Sequence, residues 1–89
     1  MGLVFTKQIS NSTFVCGAED GIRQISVKNS STTAQDITIV GTLTFNGLTS
    51  SAVTLKQGDI ITLSSQTTIS GVTITSASAS ALADIIASQ

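Results

Sequence analysis

From Ile37 to Phe45 the chain alternates: Ile37, Ile39, Leu43 and Phe45 share one parity with Gly41, while Thr38, Thr42 and Thr44 fall on the other. A helix would scatter those apolar residues around its axis. A strand sends successive side chains to opposite faces, so this pattern predicts one oily face and one hydroxylated face. The run is long for a strand, which predicts the centre of a sheet. Val40 interrupts the alternation beside Gly41, whose missing Cβ permits a bend or bulge.

The same period of two recurs on both sides of this segment. Residues 3–9 and 13–16 predict two short strands parted by the turn residues Ser10, Asn11 and Ser12. Asp20 and Gly21 close the next connection as a hairpin turn, and 22–28 follows with Ile25 and Val27 on one face. Asn46 and Gly47 favour a tight turn, which residues 48–52 extend into a longer loop. Val53 to Leu63 reads as a hairpin joined at Gln57, Gly58 and Asp59, with Val53 and Leu55 opposite Ile61 and Leu63 and Gly58 as the left-handed residue. After a polar turn, 69–75 is the last predicted strand, bent at Gly71.

Only the tail changes period. Ser78 or Ser80 can cap a helix, Leu82, Ile85 and Ile86 fall at i, i+3 and i+4, and Ala79, Ala81, Ala83 and Ala87 are helix formers. So short a helix is marginal alone, and its apolar stripe of Leu82, Ile85 and Ile86 is the predicted oligomer or capsid contact. The expectation is therefore an all-β fold: a single antiparallel β-sandwich or small barrel of about seven strands over residues 1–76, with a short C-terminal docking helix in the tail, 77–89. The expected core is Phe5, Phe14, Ile25, Val27, Ile37, Ile39, Leu43, Phe45, Val53, Leu55, Ile61, Leu63, Val72 and Ile74.

Composition explains what covers the outside. Only 10% of the 89 residues are charged, against about 25% in an ordinary soluble domain, and 14 Ser with 14 Thr take their place. Four basic and five acidic residues are scattered singly for a net charge of −1; there is no footprint for nucleic acid or an acidic membrane surface. No apolar run approaches the roughly 20 residues that span a bilayer, and the start lacks a signal-peptide pattern, which predicts synthesis in the cytoplasm.

The chemistry of the chain is sparse. It has no His, Tyr or Trp, hence neither the commonest general base nor the usual aromatic platforms for sugars and bases. Asp36, Asp59 and Asp84 are far apart, and Glu19 with Asp20 is the one acidic pair, too few oxygens for a calcium loop. The single cysteine, Cys16, cannot form an intrachain disulfide or a zinc site and is expected as a small buried hydrophobe. No catalytic residue, cofactor site or metal site is expected, and the chain is expected not to be an enzyme. A β-rich monomer with so little charge and no Pro to guard its edges should associate, so a homo-oligomer is expected.

Residues 25–30, 37–39, 53–63 and 69–74 together resemble the small Ser/Thr-rich β-sandwich virion proteins of tailed bacteriophages, of the head-decoration, cement or fibre-base type. The likeness covers most of 21–76. It implies a non-enzymatic structural protein of the virion that self-assembles, with a homotrimer preferred, and binds the major capsid protein or another virion protein. The run from Val53 through Gly58 also resembles immunoglobulin-like modules of bacterial surface proteins, which implies the alternative of a carbohydrate-binding or adhesive module.

Overall fold

Ile, Val and Thr dominate the alternating segments, and branching at Cβ favours extended backbone. The computed structural model describes the backbone of residues 4–17, 21–45, 48–64, 69 and 71–89, and the side chains of these apart from positions 4, 5, 42–45 and 48–50. Within them run β1 (Val4–Ser10), β2 (Thr13–Cys16), β3 (Gln24–Asn29), β4 (Ile37–Phe45), β5 (Leu48–Leu55), β6 (Ile60–Ser64), β7 (Val72–Ser76) and β8 (Leu82–Ser88). The expected all-β sandwich is present, with eight strands described rather than seven.

The strands form two antiparallel sheets, β1-β8-β3-β6 and β2-β7-β4-β5, called A and B below. Four pairings are nested: β1 with β8, β2 with β7, β3 with β6, and β4 with β5. The chain is thus one long folded-back ribbon rolled up so that β8 also meets β3 and β7 meets β4. This is the order of a jelly roll, two Greek keys closed into two layers. The β4–β5 ladder runs from Ile37 opposite Leu55 to Phe45 opposite Leu48, and its register shifts between Val40 and Leu43, the bulge expected beside Gly41. The expected turn at Asn46 and Gly47 lies outside the described residues, as does the Glu19–Asp20 pair.

Four expectations are corrected. The strands on either side of Asp20 and Gly21 do not form a hairpin, since β2 pairs with β7 in sheet B and β3 with β6 and β8 in sheet A. Nor is Val53 to Leu63 a hairpin: β5 pairs with β4 in sheet B and β6 pairs with β3 in sheet A. The turn is nonetheless real, with Gly58 at φ +85°, but it carries the chain from one sheet to the other. Asn29 holds it there. Its N–H donates to the Asp59 carbonyl, the Gly58 N–H donates to its carbonyl, and its side-chain amide donates to the Leu55 carbonyl at 2.9 Å. A turn signal fixes the local reversal, whereas the partners of each strand are chosen by these longer-range bonds.

The tail is not a helix. Leu82–Ser88 is β8, hydrogen-bonded to β1 on one side and β3 on the other. Ala81, Ala83, Ile85 and Ala87 are buried while Ile86 points outward, a period of two that small alanines hide from a hydrophobicity reading. A seven-residue helix must first fix a nucleus for little return, and a slot with backbone partners on both sides satisfies every peptide group instead. Residues 48–52, expected as loop, are likewise strand because β4 pairs along them.

The core lies between the sheets. Ile25, Val27, Ile37, Ile39, Leu55, Leu63, Val72 and Ile74 are buried as expected, and Phe14, Val53 and Ile61 pack against them half-buried. Phe5, Leu43 and Phe45 lie outside the described side chains. Ile9, Ile22, Ile69, Ala81, Ala83, Ile85 and Ala87 join the core unforeseen. Asn29 and Ser76 bring polar groups into it and satisfy them: the Ser76 hydroxyl bonds the carbonyls of Ser78 and Ala81 and accepts from the Asn11 N–H.

Candidate interaction surfaces

In antiparallel sheets, residues directly opposite one another share a face, so the strand registers order the outer surfaces into rows. On sheet B one row is Thr13, Thr75, Thr38, Thr54 and the next is Val15, Thr73, Val40, Ala52. Neither row holds a charge. Val15 is 60% exposed and Val40 50%, so the second row presents apolar surface between hydroxyls. The Lys56–Asp36 ion pair, at 3.0 Å, closes one end of this face.

Sheet A differs. Its outer rows are Thr6, Ile86, Ser26, Thr62 and Gln8, Asp84, Lys28, Ile60, and the second holds opposite charges side by side. Gln8 Nε2 donates to Asp84 Oδ1 at 2.7 Å, and Ser26 and Thr62 share a hydrogen bond at 3.1 Å. This face pairs several of its polar groups with one another.

The edges differ as well. β1 carries Lys7 on its inward parity, opposite the buried Ile85 yet itself exposed, and β2 is only four residues long. Both devices discourage a further strand. On the other side β5 runs eight residues and β6 five, with no charged residue or Pro in either. Their inward-facing Val53 and Ile61 are half-buried, and Ile60 is 63% exposed.

Leu82, Ile85 and Ile86 do not share a face. Ile85 is in the core, Leu82 is half-buried, and Ile86 lies 50% exposed on the outside of sheet A. The edges and the sheet B rows were absent from the sequence reading because register cannot be read from one strand at a time; Thr38 and Thr54 alone would have hinted at the row. Cys16 is fully buried and its Sγ lies 3.1 Å from the Ile69 carbonyl. Among the described residues no three of His, Cys, Asp and Glu gather where a metal ion would sit.

No protein-family model and no curated protein matches the sequence. Solved structures do. A chain from the Bacillus endospore appendages, described as a novel family of disulfide-linked pili, aligns with a TM-score of 0.54 and 12% identity over 99% of this chain and 81% of that one. The Yersinia pseudotuberculosis-derived mitogen aligns with a TM-score of 0.42 and 12% identity over 100% of this chain and 85% of its own. At 12% identity, the likeness to the appendage chain is one of fold: this chain shares its β-sandwich architecture.

Proposed function

We propose that this chain is a non-enzymatic structural subunit that assembles with copies of itself, and that the assembly is a tailed-phage virion in which it decorates, cements or supports a fibre on the capsid. The observation that carries the reading is the outer face of sheet B, where two rows across four strands expose hydroxyl and apolar groups without one charge. Covering such a face with a neighbouring protein desolvates no charge, its hydroxyls can bond groups on that neighbour, and its exposed Val15 and Val40 leave water. The likeness of fold to a pilus subunit accords with a building-block role.

The assembly is non-covalent, because the single thiol is enclosed in the core. The trimer is implied by the resemblance, and the helical stripe was to hold it in part; with Ile85 inside the subunit, the contact falls to the sheet faces and edges. The test is co-purification of the full chain with intact capsids, alongside a glycan array. Retention on capsids with a blank array supports the virion reading; specific binding of one carbohydrate without capsid retention replaces it with the adhesive module.

A further inference from the structure

We infer that the outer face of sheet B is a two-fold contact between two copies of this chain, packed sheet against sheet. This rests on the self-assembly reading above and names both the surface and its partner. The two outer faces differ in what a neighbour would meet. Among the described residues four large hydrophobic side chains are exposed, and two of them, Val15 and Val40, stand in one row of sheet B on either side of Thr73. The next row is threonine on all four strands: Thr13, Thr75, Thr38 and Thr54. The other two, Ile60 and Ile86, lie on sheet A, where Asp84 and Lys28 stand opposite one another on adjacent strands.

The chemistry of the face selects its occupant. A partner that brought a charge would bury it against rows holding no counter-charge, which is costly. A hydroxyl both donates and accepts, so a threonine row is complementary to a copy of itself, as a row of like charges is not. The second copy's sheet B supplies the same neutral surface, and the Val15 and Val40 of both copies leave water in one step. The area suffices. The subunit measures 35 × 27 × 17 Å, the short dimension being the one that crosses two layers about 10 Å apart. Each broad face therefore spans roughly 900 Å², and half of it on each copy reaches about the 1,000 Å² total that a specific interface needs. An interface of that size is small, so association belongs in the micromolar range. Pairing across a two-fold is isologous and closes after two copies. It leaves sheet A of each copy outermost, with its charges in water.

The experiment uses the full chain and reads self-association by sedimentation velocity across concentrations, with far-UV circular dichroism to verify the fold of each variant. Val15 and Val40 are exposed and lie on different strands, so V15K and V40K are independent ways of placing a charge on this face. Each is expected to weaken self-association at least tenfold, because the two-fold brings the added charge of both copies into one interface. I86K puts the same charge on the outer face of sheet A and is expected to associate like the unmodified chain. If V15K and V40K both associate normally, or if I86K abolishes association, the sheet B contact is overturned while self-assembly stands. An unmodified chain that stays monomeric at high micromolar concentration overturns the contact and the self-assembly reading together, and loss of capsid retention in V40K would then assign the face to the capsid.

Discussion

Gly41 sits against the backbone of Gly71, so close that a Cβ on Gly41 would lie 2.6 Å from the Gly71 carbonyl oxygen. Its φ of +150° is a further demand that side chains rarely meet. The bulge of β4 and the start of β7 therefore share one space that only hydrogen atoms fit. Gly41→Ala is expected to cost about 2–4 kcal/mol through clash and strain together, read as a lowered midpoint in urea denaturation. Gly58→Ala is the control: nothing lies within 4 Å of its missing Cβ, so only left-handed strain of about 1–2 kcal/mol remains.

Asn29 is fully buried, and its side chain bonds three backbone groups: it donates to the carbonyls of Gln35 and Leu55 and accepts from the Ser31 N–H. Asn29→Ala strands these groups away from water, at about 1–3 kcal/mol for each that finds no new partner. A thermal melt should show one of the larger losses of any polar position. Asn29→Asp should also destabilise, since it removes both donated bonds.

Ile85 and Ile86 test the strand against the helix first expected. With one side chain in the core and the next outside, Ile85→Ala should cost about 2–5 kcal/mol, while Ile86→Ala should stay within about 0.5 kcal/mol. Similar effects from both would contradict the alternation. Deleting residues 78–89 should abolish the folded signal in near-UV and far-UV spectra, since β8 lies between β1 and β3.

The Lys56–Asp36 pair is half or more exposed on both sides, and exposed pairs contribute about 0–1 kcal/mol. Lys56→Ala should barely move the melting temperature. Sodium chloride should likewise have a small effect, which a salt series in scanning calorimetry would show.

Cys16 should resist thiol reagents in the folded chain and react promptly in denaturant, because it is enclosed and lies against Ile69. Rapid labelling of the native protein would contradict its burial.

What sequence revealed and what it hid follow one physical division. β4 was legible because Ile37, Ile39 and Gly41 express their inward parity in side chains large or small enough to notice. β8 was hidden because its inward positions are mostly alanine, which fits a helix by propensity and a crowded central strand by size. The Val53–Leu63 hairpin failed for another reason: Gly58 declares a turn, but nothing local says that Asn29 will draw the two arms into different sheets. The interaction surfaces are combinations of registers, and a row such as Thr13, Thr75, Thr38, Thr54 exists only after folding.

The nested pairing also governs how the chain acquires its shape. β4 and β5 can zip as soon as both have been synthesised, but Val4 waits for Ser88 and β3 waits for β8. A ribosome-bound chain therefore holds an unfinished sandwich until residues 82–88 have left the exit tunnel, and closure over such sequence separations is slow. During that interval β1 and β3 lack the strand that belongs between them. The sandwich is consequently completed only once β8 has emerged as its keystone, and premature meeting of two chains that still lack β8 in place would yield swapped partners rather than separate subunits.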